Sequence, residues 1–352
     1  MKILSENNID RTEWSLLVRN SATGTWFQTP EAYEFFASMP DLFKPFVVAI
    51  SNEAPLSEAQ HSINPSLQTL RAVCVGYVTK EKNPLKQFFM RRAIIIGGPA
   101  LADDASLEEV EALMIAVRDQ LTNIKYQILN IKCAPIYIET RNFNDYSRWK
   151  GAFEAAGFEY QAHLNFHVDC TDKDKMLKRL SDNRKRQLRK SNISIIEATD
   201  ETQICEWYEI LKNLYRTKVK TPLFPLSFFI MAYRQKVGKF ILVRHEGEII
   251  GGSMVVADEK AVYEWFECGL NAEYKNQYPS VCATYAGMRY AAEHGMARYD
   301  MMGAGEPGVP YGVRDFKVEF GGKKVEHGRF LHVAKPCLYK IGTWGVNVLK
   351  RI

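Results

Sequence analysis

The sequence predicts a mixed α/β protein of two domains, each a mixed sheet flanked by helices. Three observations carry this. The chain has 352 residues, about two domains' worth and enough to bury a core without covalent staples. Strand, strand, helix, strand, helix and strand patterns recur in the same order in both halves. Between the halves, Lys173 to Lys190 gathers positive charge into one block. The expected units are a first domain over 1–168, a basic bridging helix over 169–195, a second domain over 196–335 and a tail helix over 336–352.

In chain order, Pro30 and Glu31 open a helix that carries Tyr33, Phe35 and Phe36. Phe46 to Ile50 reads as a strand, 51–69 as a polar loop and Leu70 to Val78 as a strand. An apolar run from Ala93 to Ile96 stops at Gly97-Gly98-Pro99. Leu107 to Leu121 is helical, with Ser106 as its cap. Ile128 to Ile138 is a strand, Trp149 to Ala156 a helix ending at Gly157, and Asn165 to Val168 a strand. The second half offers a helix over Ile204 to Thr217 and a strand over Phe240 to Arg244. A turn at His245-Glu246-Gly247-Glu248 leads to strands over Ile249 to Val256 and Ala261 to Leu270. Pro279 to His294 is a helix and Arg298 to Met302 a strand. Aligning the halves sets Trp149-Lys150-Gly151-Ala152-Phe153 against Val313-Arg314-Asp315-Phe316-Lys317, and Gly157 against Gly321. Lys150 then faces Arg314, but Phe153 faces Lys317, so the cation pair survives only in the second half, where the chemistry is expected.

Composition is that of an ordinary soluble globular chain, 46% hydrophobic and 25% charged, with a net charge of +5 that favours an anionic partner. Seven scattered cysteines without a CxxC pair suit a reducing compartment and provide neither a disulfide framework nor a metal site. The first residues lack the apolar core of a signal peptide and no apolar run is long enough to span a bilayer, so the cytoplasm is expected.

The densest chemistry lies in Met301 to Gly328. Gly303, Gly305 and Gly308 allow unusual backbone, Pro307 and Pro310 stiffen the loop, and Val313, Phe316 and Phe320 then recur at helical spacing. Arg314 and Lys317 share one helical face and suit phosphate or a developing oxyanion; a solvated face is the alternative. Under strict alternation, Tyr263, Trp265 and Glu267 share one face of their strand as a sugar or peptide contact, and Glu264, Phe266 and Cys268 share the other; sheet packing is the alternative. Arg184, Lys185, Arg186, Arg189 and Lys190 wrap their helix and are candidates for tRNA or other phosphate contact, against a solvated helix. In the tail, Leu338, Ile341, Val348, Leu349 and Ile352 form a stripe, with Trp344 nearby. It suits peripheral membrane contact or docking on the protein's own core.

The run Tyr311-Gly312-Val313-Arg314-Asp315-Phe316-Lys317-Val318-Glu319-Phe320-Gly321-Gly322 resembles the C-terminal signature of the FemABX family of tandem GNAT-fold transferases. Trp26 to Tyr33 and Asn183 to Lys190 are similar to two further landmarks of that family, so the resemblance spans nearly the whole chain. It implies two GNAT-like domains, transfer of an aminoacyl group from charged tRNA to an amine of a peptidoglycan precursor, and a bacterial source. It also implies Lys317 as the catalytic residue, acting on the phosphate-rich substrate or transition state, with Arg314 its neighbour on the same face. The expected substrate contacts are Arg314, Tyr311, Tyr263, Trp265, Glu267 and Glu306.

Acyl-CoA-dependent GNAT enzymes hold pyrophosphate on a glycine-containing loop before the central helix. The corresponding Asn271 to Pro279 contains no glycine, which argues against an acetyl-CoA enzyme. Glu267, Asp300 and Glu306 are the candidate proton acceptors. No metal or redox cofactor is implied; the donor is an aminoacyl-tRNA or, alternatively, an acyl thioester of CoA or a carrier protein. A non-catalytic binding protein of the same fold is the third reading.

Overall fold

The computed structural model describes residues 1–53, 68–81, 91–122, 134–143, 146–337 and 339–341. Most of the expected 51–69 loop, the first part of the strand at 128–138, Cys133 and the tail stripe beyond Ile341 lie outside the described residues. The chain divides into two compact units, Met1–Ala162 with Glu326–Ile352, and His163–Val325.

The first unit contains β1 (Lys2–Ser5), α1 (Arg11–Asn20), α2 (Pro30–Ala37), β2 (Phe43–Glu53), β3 (Gln68–Thr79), β4 (Ala93–Gly97) and β5 (Ala100–Leu101). It continues with α3 (Leu107–Thr122), β6 (Ile136–Thr140), α4 (Tyr146–Ala155) and β7 (Glu159–Gln161). Helix α2 starts where the sequence places it: Pro30 occupies the first turn, which needs no N–H there, and the Thr29 side chain accepts from Ala32 N. Its apolar face, Phe35 and Phe36, is fully buried.

The second unit contains β8 (Leu164–Asp169), α5 (Lys173–Arg179), α6 (Asp182–Lys190), β9 (Ser194–Glu197), α7 (Glu201–Leu214) and a π-helical turn over Tyr215–Val219. There follow α8 (Leu226–Arg234), β10 (Lys239–His245), β11 (Glu248–Ala257), β12 (Ala261–Gly269), α9 (Pro279–Glu293), β13 (Arg298–Gly303), α10 (Gly312–Val318) and β14 (Lys323–Glu326). The last described strand, β15 (Arg329–His332), returns to the first unit. The β10–β11 hairpin turns through Glu246 (φ 50°) and Gly247 (φ 94°), as the Glu-Gly pair in the sequence suggests. Helices α1 and α8 and strands β1 and β9 are not legible as separate elements in the hydrophobic pattern.

The two sheets have matching orders, β1-β2-β3-β4-β6-β15-β7 and β9-β10-β11-β12-β13-β8-β14, with β5 added on β3. The repeat is therefore real in topology. It also corrects the expected domain limits. Strand β8 pairs antiparallel with β13, so it belongs to the second sheet rather than closing the first. Strand β15 takes the equivalent place in the first sheet, pairing with β6 and β7. Each half thus supplies the other's sixth strand. The expected bridging helix is instead two short helices of the second unit, broken between Arg179 and Asp182, where Ser181 caps α6 by accepting from Arg184 N.

Both repeats close their late helix with a left-handed glycine, Gly157 (φ 88°) and Gly321 (φ 73°). Buried residues beneath the second sheet's helices include Phe166, Val255, Val262, Met288, Tyr299 and Phe320. Cys74, Cys170, Cys205, Cys268, Cys282 and Cys337 are free thiols. Among the described residues no helix is long and apolar enough to cross a bilayer.

The two glycines separate backbone strain from crowding. A Cβ at Gly157 would meet nothing closer than 3.6 Å, whereas one at Gly321 would strike the Arg179 carbonyl. Gly157→Ala should cost about 1 kcal/mol and Gly321→Ala about 2–4 kcal/mol. Equal midpoints in urea unfolding would refute the difference.

Candidate active site

The two units differ where their central parallel strands meet. In the first, β4 and β6 stay in register for five consecutive pairs, Ala93↔Ile136 to Gly97↔Thr140. In the second, β12 and β13 pair only at Ala261↔Arg298, Val262↔Tyr299 and Tyr263↔Asp300, and then part. The cause lies on the other side of β12. Opposite β11, Val255 faces Glu264 and Met254 faces Phe266, so Trp265 is an extra residue. Such a bulge bends its strand and increases the local twist. One sheet is zipped shut at this level and the other is split.

The bulge also overturns the expected alternation. Residues directly opposite one another share a face. Glu264 opposite Val255 and Glu267 opposite Ser253 therefore lie on one side, the side of α9, where Ser253 Oγ donates to the Ala283 carbonyl. Tyr263 and Phe266 lie on the other. Glu267 is parted from Tyr263 and joined by Glu264, a residue the alternating pattern had turned away.

The Glu264 carboxylate is buried and accepts a 2.5 Å hydrogen bond from Tyr299 Oη. Gly287 permits this, because a Cβ there would strike the Tyr299 ring. Burial raises the Glu264 pKa, and the neighbouring Lys317 charge opposes that rise. Burial, reinforced by the like charge of Glu264, pushes the Glu267 carboxyl up to about 8. Glu267 Oε1 is enclosed and has no protein partner.

Lys317 enters from α10. It is only 8% exposed, and its Nζ donates to the carbonyls of Met301 and, at 3.0 Å, Gly303. These carbonyls lie on β13 beyond its last pair with β12. The ammonium caps these two strand carbonyls.

Arg314 lies elsewhere. Its guanidinium donates to Ala304 O at 3.0 Å, Val309 O at 2.9 Å and Glu306 O. Those three bonds bind the 304–309 loop into one piece. Arg314 is a loop strut, and the shared face with Lys317 does not make a two-cation phosphate site. Glu306 contributes its carbonyl to the strut and its side chain is exposed; Tyr311 is also exposed, against Gly305. Asp300 is fully buried, with Oδ1 accepting from Met302 N and Oδ2 3.4 Å from His167 Nε2. It supports the bend in β13, where Met302 has φ 62°.

Tyr263 is buried and donates to Asp258 Oδ2 at 2.8 Å, so it presents no hydroxyl to a groove. Trp265 is half-buried, edge-on to Phe228 and stacked on Phe266. The basic block divides as well. Arg184 is 6% exposed, lies over the rings of Phe316 and Phe320, and donates to the Phe316 carbonyl; it anchors α10. Lys185 is half-buried beside Asp182, and Arg186, Arg189 and Lys190 are exposed.

The start of α9 contains no open phosphate cradle. Pro279 has no N–H, and the Ser280 amide donates to Asn271 Oδ1 at 3.1 Å while Asn271 Nδ2 donates to Ser280 Oγ. Two of the first-turn positions are thereby closed.

Residues 174–317 match the model of an acetyltransferase (GNAT) domain. Among solved structures, the chain is similar to FemX, at 14% identity over 97% of this chain and 99% of that chain, with a TM-score of 0.67. A tandem GNAT protein from the clavulanic acid biosynthesis pathway has 10% identity, 95% and 99% coverage and a TM-score of 0.55. The C-terminal domain of a putative lysylphosphatidylglycerol synthetase from Agrobacterium fabrum has 13% identity, 98% and 97% coverage and a TM-score of 0.50. No curated protein matches by sequence. At these identities the likeness is one of fold: two GNAT-type units in tandem, as in the protein from the clavulanic acid pathway.

Arg314→Lys keeps the charge but cannot make three fanned bonds. Amide exchange across 304–311 should accelerate at least about tenfold while the global unfolding midpoint changes little. Unchanged exchange would show that the loop does not depend on the strut.

Proposed function

With a GNAT-fold acyltransferase as the premise, we propose that the split between β12 and β13 is where an activated acyl group meets a primary amine. Glu267 takes the amine proton, and the positive charge of Lys317, within electrostatic reach of Glu267, favours the oxygen that becomes negative. The carrying observation is the half-buried Glu267 carboxyl, its Oε1 enclosed, held near pKa 8 within the electrostatic reach of Lys317. An acceptor of that basicity suits an attacking amine near neutral pH. As the C–N bond forms, the amine proton passes to Glu267; as the tetrahedral intermediate collapses, the carbonyl carbon loses its leaving oxygen, which Glu267 reprotonates.

The proposed donor is an aminoacyl ester of tRNA and the proposed acceptor a peptidoglycan precursor. FemX supports this through shared architecture, and the closed start of α9 supports a donor that needs no pyrophosphate cradle there. Arg186, Arg189 and Lys190 are the proposed phosphate contacts. One observation favours an acyl thioester instead. Beyond Tyr263, β12 has no ladder partner on its β13 side, and an extended pantetheine arm would pair with such an edge.

A donor assay separates the two. Purified protein with a diamine-containing muropeptide precursor is offered charged tRNA or a panel of acyl-CoA thioesters, and amide product is read by mass. Product from charged tRNA alone supports the first reading; product from thioester alone replaces it with the second.

Under either donor, kcat/KM should rise with pH and level off above about 8, because Glu267 works deprotonated. Glu267→Gln should lower kcat by about 10²–10⁴ and abolish that limb. Lys317→Met should lower it by about 10²–10³ without moving the limb far. Stability gives an independent sign. A carboxyl whose folded pKa exceeds its unfolded value makes the fold lose stability as pH rises between the two. Glu267→Gln should therefore raise the melting temperature at pH 9 more than at pH 5, and an equal effect at both would remove Glu267 from its assigned state.

A further inference from the structure

The bulge brings two carboxyls together, and only one of them has a firm partner. Glu264 and Glu267 face Val255 and Ser253, two residues apart on β11, so they are neighbours on the α9 face of the sheet. Glu264 is 7% exposed, and its Oε2 accepts from Tyr299 Oη at 2.5 Å. Tyr299 is fully buried on β13, paired with Val262, two residues before Glu264, so its phenol reaches the carboxylate from the neighbouring strand. Helix α9 makes room for that phenol, since a Cβ at Gly287 would strike the Tyr299 hydroxyl. Glu267 is half-buried, and among the described residues nothing hydrogen-bonds its Oε1.

Two neighbouring carboxyls in a poorly hydrated place do not both ionise readily, so near neutral pH one of them keeps a proton. The phenol decides which. Its O–H donates, an anion accepts such a bond more strongly than a neutral acid does, and Glu264 is the member that accepts. Thr284 of α9 adds weaker support to the Glu264 anion, its Oγ1 reaching no hydrogen-bond geometry. Lys317 from α10 favours the charged form of both carboxyls. Three influences favour the opposite assignment: the deeper burial of Glu264, the charge of Asp300 on β13, which disfavours the Glu264 anion, and the Ser280 hydroxyl of α9, which favours the Glu267 anion. Cys268, beside Glu267 on β12, stays a thiol, because burial and the Glu267 charge push its pKa well up.

Resting on Glu267 as the proton acceptor of the proposed reaction, we infer that Tyr299 is a positioning residue: its hydroxyl holds Glu264 as the anion and so makes Glu267 the carboxyl that takes the amine's proton. The proton that Glu267 gains is the one the amine loses, and it leaves with the departing oxygen, so Glu264 and Tyr299 end the cycle as they began it. Without the hydroxyl the proton passes to Glu264, the more buried of the two. Glu267 then ionises at lower pH, because the like charge beside it is gone.

The test follows the glutamate carboxyls of the full chain by carbon NMR with isotope-labelled glutamate, the two signals being assigned with Glu264→Gln and Glu267→Gln. It needs no turnover. The parent is compared with Tyr299→Phe, Glu264→Gln and the two combined, each checked for cooperative melting. In the parent, Glu267 titrates near pH 8 while Glu264 stays ionised. In Tyr299→Phe, Glu264 gains the proton and the Glu267 midpoint falls by at least about one pH unit. Glu264→Gln lowers that midpoint too, and adding Tyr299→Phe moves it no further, because the phenol acts through Glu264. An unmoved Glu267 midpoint in Tyr299→Phe would overturn the inference. So would a fall of equal size when Tyr299→Phe is added to Glu264→Gln, which a merely loosened and wetter site would produce. The pH limb of kcat/KM, read in the same variants with the donor that the mass assay selects, should follow the Glu267 midpoint. A limb that stays put while the Glu267 signal moves would remove Glu267 from the reaction, and Tyr299 with it, an outcome distinct from failure of the proton assignment.

Discussion

The ammonium of Lys317 resting on the carbonyls of Met301 and Gly303 is the interaction on which the second unit depends. Beyond Asp300, β13 has parted from β12 and shifts register against β8, and there the carbonyls of Met301 and Gly303 bond the ammonium. A buried carbonyl left unbonded costs about 1–3 kcal/mol. Lysine supplies donors, but it brings a charge into a poorly hydrated place. Glu264 and Glu267, turned to the same side by the bulge at Trp265, lie within reach of that charge, which opposes the rise that burial imposes on their pKa values. The cation and the carboxylates are therefore gathered at the opening.

The first unit is a natural control. At the position aligned with Lys317 it has Phe153, fully buried and stacked on Phe330 of β15. There β4 and β6 keep their pairing, no carbonyl needs an ammonium, and an apolar ring fills the space more cheaply. Only the unit that opens its sheet needs a charged residue at this position. The aligned pair of residues thus records which half opens its sheet.

Much of this was legible in the sequence, and the failures have physical causes. Gly157 and Gly321 could be aligned because a left-handed cap restricts the residue allowed, so both repeats retain glycine. The exchange of β8 and β15 was not legible, because a strand's hydrophobic pattern states that it is buried and not which sheet buries it. The carboxylate pair was hidden for a sharper reason. Glu264 and Glu267 are three apart, which under alternation means opposite faces, and a bulge changes that parity without altering composition. Lys317 was found from its motif, while its carbonyl partners are set by strand divergence that no local pattern encodes.

Arg314 and Arg184 show how a cation can be correctly noticed and wrongly employed. Each looks like a phosphate ligand in sequence; Arg314 spends its donors on backbone, and Arg184 divides its own between the Gln187 side chain and the Phe316 carbonyl. Arg314 gathers three carbonyls of the loop that enters α10, and Arg184 covers Phe316 and Phe320 while bonding the Phe316 carbonyl. Both ends of α10 are thereby fixed, and the residue between these anchors is Lys317. A flexible lysine chain loses precision unless its base is held, and a displacement of about 1 Å at a reacting centre costs about a hundredfold in rate. Two arginines used as scaffold hold the base of one lysine. The split then presents the Lys317 ammonium beside the Glu264 and Glu267 carboxyls, the kind of set that the proposed reaction uses to move a proton and steady an oxyanion.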